Sequence, residues 1–147
     1  MSSTIHASAV LVGARAVLIR GPSGSGKSRL AFELISAAGG ALRFARLVAD
    51  DRAEIESVAG RLLVRPAPAL TGLIELRGLG IRRLPYEPVA VVGLVVDLAA
   101  EDAQRLPAVE QMRVRIKGIP LARLAVALGE AAMTRVIAAV HMPESAV

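Results

Sequence analysis

A glycine-rich segment near the start of the chain has the spacing of a phosphate-binding loop. Residues 21 to 28 read GPSGSGKS and match the pattern G-x-x-x-x-G-K-[ST]. A β-rich run, 16–19, precedes this P-loop and a helical pattern follows it, as the motif requires. Glycines let backbone N–H groups close around an anion, and the helix points its positive end at the same place. The predicted phosphate-binding residues are Gly21, Pro22, Ser23, Gly24, Ser25, Gly26, Lys27 and Ser28.

The last two residues of the P-loop carry the chemistry. Lys27 is expected to place its ammonium on the outer phosphates of a nucleotide, and Ser28 to offer its hydroxyl to Mg²⁺. A Gly/Ser-rich turn that binds nothing is the alternative, but it has no need of a Lys-Ser pair in register with a helix start. The sequence therefore predicts a nucleotide and Mg²⁺ as ligands.

Carboxylates at the ends of apolar runs are the candidates for the reaction itself. They are Asp50 with Asp51, Glu75, and Asp97. An Asp after an apolar strand helps to hold Mg²⁺ in most P-loop enzymes, and RLVADD and VVGLVVD fit that pattern equally well. Two adjacent carboxylates can divide the work, one in the Mg²⁺ shell and one accepting a proton from an attacking hydroxyl. A solvated turn is the competing interpretation of the Asp-Asp pair.

Composition and charge limit the setting. With 147 residues, the chain is predicted to form one domain, 1–147. Its residues are 54% hydrophobic but only 2% aromatic, which predicts an aliphatic core. The net charge of +5 comes largely from scattered Arg without interleaved aromatics, so nucleic acid is not expected as a partner. The absence of Cys and of a recognisable secretion signal or membrane span favours a cytoplasmic protein without membrane contact.

The hydrophobic pattern predicts several elements around these residues. Two short strands flank a turn at Gly13 and Ala14, and a helix follows the P-loop. The segment 46–66 predicts a strand ending in the two carboxylates, a turn near Ala59 and Gly60, and a second strand. Residues 68–84 fit no single period, and 88–100 predicts a buried strand. A closing helix is predicted from apolar residues in step at Leu121, Leu124, Leu128, Ala132, Val136 and Val140, and His141 is interpreted as a surface residue.

Four elements in this order resemble the HPr kinase/phosphorylase family. They are His6 in IHASAVLV, the P-loop, VADD, and the string LIELRGLGI at 73–81. The resemblance covers residues 6–81. It implies an α/β P-loop kinase domain with a mixed, largely β core and flanking helices, similar to the HPr kinase and phosphoenolpyruvate carboxykinase-like fold.

The resemblance also implies a reaction and a role for each matching residue. The reaction is transfer of phosphate from ATP to a serine of an HPr-type phosphocarrier protein. Ser28, Glu75 and Asp50 would form the Mg²⁺ site, and Asp51 would accept the serine proton. The other catalytic residues implied by the resemblance are His6, Lys27, Arg77 and, in a weaker match, Arg105.

The sequence departs from the family pattern in two places. The chain begins just before His6, which suggests the catalytic domain without the usual N-terminal domain. Residues 114–126 keep only a loose echo of the family's loop for phosphate-dependent dephosphorylation, so kinase activity is better supported than phosphorylase activity. The family implies a homo-oligomer, typically a hexamer, and the altered loop leaves its size open. A small-molecule kinase and a non-catalytic nucleotide-binding regulator remain as alternatives.

Overall fold

The computed structural model describes residues 1–142 and is dominated by a twisted mixed sheet. Two helices of ten residues lie in this part of the chain, α1 (Lys27–Ser36) and α2 (Ala132–His141). The strands are β1 (Ser2–Ile5), β2 (Ala7–Val12), β3 (Arg15–Arg20), β4 (Ala45–Ala49), β5 (Ala53–Val58), β6 (Arg61–Pro66), β7 (Leu73–Leu76), β8 (Gly80–Arg83), β9 (Ala90–Leu98), β10 (Arg113–Ile116) and β11 (Ile119–Val126).

Strand directions explain why distant segments meet at one edge of the sheet. β2 is antiparallel to both β3 and β4, so β3 and β4 run in the same direction. β9 is parallel to β3, and β11 is parallel to β9. The carboxyl ends of β3, β4, β9 and β11 therefore share an edge with the amino end of β2. Ligands of open α/β sheets bind at such carboxyl edges.

β9 is the strand on which the sheet is organised. One of its edges pairs with β3 along most of its length. The other edge pairs with β6 at the start of the strand and with β11 at its end. The main path through the sheet is β1-β5-β6-β9-β3-β2-β4, and the β7–β8 hairpin stands apart from it. A strand with neighbours on both edges and packing on both faces is expected to be largely apolar, and Asp97 is the one charged residue of AVVGLVVDL.

Aliphatic side chains fill both faces of the sheet. On one face, Leu30 and Leu34 of α1 and Val136 of α2 pack with Val17 and Ile19 of β3. On the opposite face, residues of β2, β3, β5, β6 and β9 form a second cluster around Leu18. The period-2 alternation along β3 thus supplies both layers, and residues 21–26 of the P-loop connect the carboxyl end of β3 to the amino end of α1.

Most of the predicted elements are confirmed, and one is partly wrong. The strands around Gly13, the helix after the P-loop, the turn at Ala59 and Gly60 and the buried strand at β9 all form. The closing helix is correct only for its second half, because residues 119–126 form β11 and Leu128 is 80% exposed. β11 is held by parallel pairing with β9, so tertiary pairing overrides the helical spacing there.

β5 was not predicted as a strand of its own, although Ala53 and Ile55 are buried between half-buried glutamates. His141 is exposed, as predicted, and a ring nitrogen lies 2.8 Å from the carbonyl oxygen of Ala41. Within residues 1–142, neither helix has the length and apolar character needed to cross a lipid bilayer.

Candidate active site

The P-loop lies between the end of β3 and the start of α1. Gly24 and Gly26 have φ values of 80° and 98°, in the left-handed region that favours glycine. A Cβ atom on Gly21 would lie 2.6 Å from the hydroxyl of Ser25 and 3.1 Å from the carbonyl oxygen of Leu98. The loop therefore closes tightly against the end of β9, and a Cβ at Gly21 would require Ser25 and Leu98 to shift.

Lys27 is folded back into this loop. Its side chain is buried, and Nζ donates hydrogen bonds to the carbonyl oxygens of Gly21 (2.8 Å) and Pro22 (3.2 Å). The residue that caps α1 is Gly26, which has no side chain, so no capping side chain covers the amino end of the helix. The positive end of the helix and the ammonium of Lys27 thus act on the same small volume.

Asp50 is the carboxylate at the centre of the site. It is only 4% exposed, and Oδ1 accepts hydrogen bonds from the hydroxyls of Ser28 (2.6 Å) and Ser8 (2.8 Å). Oδ2 accepts a hydrogen bond from the backbone N–H of Glu75 at 3.0 Å. The carboxylate thus joins α1, β2 and β7, and three donors offset the cost of burying its charge.

Asp51 follows directly and differs from Asp50 in its exposure and in its backbone conformation. Its side chain is exposed, and its φ of 68° is unusual for a residue other than glycine. Its carbonyl oxygen accepts a hydrogen bond from the N–H of Ala7 at 3.1 Å, and its own N–H donates to Ser8 Oγ at 3.3 Å. Contacts from β2 therefore hold a strained backbone that turns the second carboxylate out of the sheet.

The other predicted residues lie at varying distances from this pair. Glu75 is brought to Asp50 through its backbone, and its side chain is exposed. Arg77 is exposed in the turn between β7 and β8, and His6 is exposed immediately before β2. Arg105 is exposed in the loop after β9. Within residues 1–142, no hydrogen bond connects Arg77, Arg105 or the His6 ring to Asp50 or Asp51.

Asp97, the competing candidate for a metal carboxylate, is engaged elsewhere. It accepts hydrogen bonds from Arg20 at 2.8 and 2.9 Å and from Arg123 Nε at 2.6 Å. Burial opposes ionisation of Asp97, but the two guanidinium groups outweigh it and hold the pKa of the carboxyl below its usual value. The structure thus distinguishes two strand-end aspartates that fit the sequence pattern equally well. Asp50 lies beside Ser28, whereas Asp97 connects β9 to Arg20 of β3 and Arg123 of β11.

The donor set fits a phosphate group and a hard cation. Ser25 Oγ is buried in the P-loop without a hydrogen-bond partner among the described residues, which is expected of a group aimed at an anion. Ser28 and Asp50 offer hydroxyl and carboxylate oxygens, which suit Mg²⁺. Residues 1–142 contain no cluster of three His, Cys, Asp or Glu side chains, so such a cation would draw its remaining ligands from phosphate oxygens and water.

Comparison with known proteins agrees with this arrangement. The family model described as the HPr Serine kinase C-terminal domain matches residues 1–86, which include the P-loop, the Asp50–Asp51 pair and the β7–β8 hairpin. The chain belongs to this HPr serine kinase family. The resemblance seen in the sequence is therefore confirmed.

Relatives from two bacterial groups match different lengths of this family member. The HPr kinase/phosphorylase of Clostridium beijerinckii is 42% identical over 77 residues, 52% of this chain and 24% of that protein. The HPr kinase/phosphorylase of Neisseria meningitidis serogroup C is 34% identical over 107 residues, 67% of this chain and 32% of that protein. The matched regions thus cover 24% and 32% of the lengths of these two relatives.

A solved structure confirms the predicted fold class. The Hpr(Ser) kinase/phosphatase from Coxiella burnetii superimposes with a TM-score of 0.75 over 94% of this chain and 93% of that one. The sequence identity is 22%, so this similarity concerns the fold. The HPr kinase fold therefore extends beyond residue 86 into β9, β11 and α2.

Two features, one in the candidate site and one beside it, are not predicted from the sequence. Ser8 touches both aspartates, yet it stands alone in the apolar run ASAVLV and matches no motif. Its one signal was a polar residue in an otherwise apolar strand. The Arg20–Asp97–Arg123 network had no local signal, because its members come from three strands.

Proposed function

We propose that the chain is an ATP-dependent kinase that phosphorylates a serine of an HPr-type phosphocarrier protein. The observation that carries the proposal is the convergence of Ser28, Asp50 and Glu75 beside the amino end of α1, with Asp51 exposed next to them. Membership of the HPr serine kinase family supports the choice of a protein serine as the acceptor.

Each group of residues has a distinct task in this mechanism. The P-loop and Lys27 bind the phosphates of ATP and compensate their charge. Ser28, Asp50 and Glu75 would hold Mg²⁺, and the cation would supply further charge neutralisation on the phosphates. Ser28 Oγ and Asp50 Oδ1 fit this role because they lie 2.6 Å apart, and Glu75, whose backbone N–H bonds to Asp50, has an exposed carboxylate.

The transfer itself needs alignment more than covalent help from the protein. The serine oxygen forms a bond to the γ-phosphorus as the bond from that phosphorus to the leaving oxygen of ADP breaks. Asp51 accepts the serine proton, and its exposed carboxylate is open to an incoming protein. In this proposal, Arg77 adds positive charge near the transferred group, and His6 and Arg105 help to position phosphate.

The kinase direction is better supported than phosphate-dependent dephosphorylation. Residues 114–126, where the family has its dephosphorylation loop, here form most of the β10–β11 hairpin, which turns at Lys117 and Gly118. Arg123 in this segment is held by Asp97 and Asp102 and so contributes to the sheet instead of to a free loop. We also expect a homo-oligomer in the cytoplasm, and sedimentation of the purified protein tests its size.

Transfer of labelled γ-phosphate tests the proposal. Wild-type protein with ATP and Mg²⁺ is expected to label an HPr-type carrier, and a carrier whose acceptor serine is replaced by alanine is expected to stay unlabelled. Lys27→Ala and Asp51→Asn should abolish labelling, whereas Glu110→Gln, an exposed carboxylate variant outside the site, should label as wild type does.

Two other results would identify one of the alternatives. ATP binding that is equal in wild type and Asp51→Asn, with no labelled carrier in either, would indicate a nucleotide-binding regulator. ATP consumption that depends on a small molecule, with the carrier unlabelled, would indicate a small-molecule kinase. Either result would contradict the proposed acceptor.

A further inference from the structure

Ser8 is a buried hydroxyl that touches both carboxylate residues of the site. It is the second residue of β2 and is fully buried, in a strand that otherwise contains only alanine, valine and leucine. Its Oγ donates a hydrogen bond to Asp50 Oδ1 at 2.8 Å and accepts one from the N–H of Asp51 at 3.3 Å. The Ser8 hydroxyl therefore donates a hydrogen bond to Asp50 and accepts one from Asp51.

The position of Ser8 has a cost that these two contacts offset. A buried hydroxyl without partners is unfavourable by several kcal/mol on transfer scales, of order 2 to 7 kcal/mol. Alanine, which occupies both neighbouring positions, would fill this place in the strand without that penalty. Packing alone thus gives no reason for serine here, whereas the two aspartates do.

The backbone around Asp51 needs such support. Its φ of 68° lies in a region that costs a residue other than glycine of order 1 to 3 kcal/mol, and surrounding contacts must hold it there. The β2–β4 pairing also contains a bulge, because Ala9 pairs with Ala49 while Val10 pairs with Leu47. Bulges re-aim side chains, and this one lies immediately before the aspartate pair. Ser8 bonds to the segment at the point where the ladder has become irregular.

We propose that Ser8 is a positioning residue that fixes the Asp51 carboxylate relative to Asp50. The inference rests on the proposed function, in which Asp51 accepts the proton of the acceptor serine. The bond to Asp50 sets where the hydroxyl lies, and the bond from the Asp51 amide sets the backbone turn that directs the second side chain outward. Ser8 touches neither nucleotide nor acceptor in this arrangement and acts through Asp51.

The effect should therefore appear in turnover more than in binding. Removing the hydroxyl leaves the P-loop and Lys27 intact, so the affinity for ATP should stay within about twofold, while a misplaced proton acceptor should lower kcat by about 10- to 100-fold. Ser8→Thr keeps the hydroxyl and should recover most of the loss. Val12→Ala, at the far end of the same strand, is the stability control, because it removes buried methyl groups away from the site.

The experiment compares wild type, Ser8→Ala, Ser8→Thr and Val12→Ala in carrier phosphorylation, ATP binding and urea unfolding. The proposal predicts a selective loss of kcat in Ser8→Ala, with recovery in Ser8→Thr and none of this loss in Val12→Ala. A kcat for Ser8→Ala within twofold of wild type would overturn it. So would an equal loss in Val12→Ala at equal stability, because the effect would then be general destabilisation.

A second measurement separates this inference from the proposed function. Hydrogen exchange of the Asp51 amide, followed by NMR, should be faster in Ser8→Ala than in wild type, while the amide of Leu18 in β3, a strand paired on both edges, stays protected. If wild type labels no carrier, the proposed function fails and the exchange result alone decides the role of Ser8. Equal exchange of the Asp51 amide in the two proteins would then refute it.

Discussion

Replacement of Asp97 by asparagine tests the division of labour between the two strand-end aspartates. Asp97 Oδ1 and Oδ2 accept hydrogen bonds from Arg20, the last residue before the P-loop, and Oδ2 also accepts from Arg123 of β11. Asparagine has a similar shape but no charge and only one acceptor oxygen. Asp97→Asn therefore leaves two partly buried guanidinium groups with a weaker shared partner.

The size of the loss follows from the contacts. A hydrogen bond to a charged group contributes about 1.5 to 3 kcal/mol net, and three such bonds are weakened but not all removed. The side chains of Arg20, Asp97 and Arg123 are 32%, 14% and 13% exposed, so solvent screens part of the effect. We expect a loss of about 2 to 3 kcal/mol, which for a chain of 147 residues lowers Tm by about 6 to 10 °C.

The stability lost in Asp97→Asn should also depend on pH. Burial disfavours the charged form of Asp97, but the hydrogen bonds and charges of Arg20 and Arg123 outweigh it, so the pKa is lower in the folded chain than in the unfolded one. The stabilisation is thus fully present above the unfolded pKa of about 3.9 and disappears as the pH falls through the lower folded pKa. The difference in the free energy of unfolding between wild type and Asp97→Asn should have its full size at pH 7 and should become smaller below about pH 4.

Thermal and urea unfolding at several pH values measure the stability, and a Mg²⁺ titration of phosphoryl transfer measures the metal requirement. Asp97→Asn should keep the wild-type Mg²⁺ midpoint, whereas Asp50→Asn should raise it because Asp50 lies beside Ser28. A change in Tm smaller than about 2 °C would refute the stabilising role of Asp97, since it corresponds to only about 0.5 to 1 kcal/mol. A Mg²⁺ midpoint shifted equally by both variants would refute the division of roles.

Substitutions at two further positions, Asp51 and Gly21, test local features of the site. Asp51→Gly and Asp51→Ala should both lack phosphoryl transfer. The glycine variant should be more stable by about 1 kcal/mol in urea unfolding, because a φ of 68° is strained for alanine but not for glycine. Equal stability of the two variants would contradict the backbone strain at this position. Gly21→Ala should weaken ATP binding about tenfold or more by calorimetry, because its Cβ would meet Ser25 and Leu98. Gly60→Ala, which has open space around its Cβ, should bind ATP normally, and undisturbed binding in Gly21→Ala would show that the loop can yield.

Contiguous features were predictable from the sequence, and features made by distant segments were not. The P-loop, with its strand and helix, depends on the order of neighbouring residues, so GPSGSGKS was sufficient. Asp50 and Asp97 both end apolar strands, and spacing did not distinguish them. The difference comes from their partners, Ser8 and Ser28 for one and Arg20 and Arg123 for the other, which fold topology brings together.

The segment 119–126 shows how a helical spacing can be misleading. Leu121, Leu124 and Leu128 are in step for a helix, but the preceding turn at Lys117 and Gly118 begins a hairpin, and β9 offers an open edge. Short apolar runs fit either structure by period alone, and here the available pairing partner decides. The helix forms only after Gly129, where α2 packs Val136 into the core.

The position of β9 in the sheet has a consequence for folding during translation. Arg20 and Asp97, which join β3 to β9, are 77 positions apart, so the P-loop leaves the ribosome long before the strand beside it. Until then β3 has an unpaired edge, which is prone to association with other chains. Such long-range closure slows folding. The nascent chain should therefore depend on protection from chaperones until β9 has emerged, and mutations in β9 should reduce yield in cells before they affect turnover.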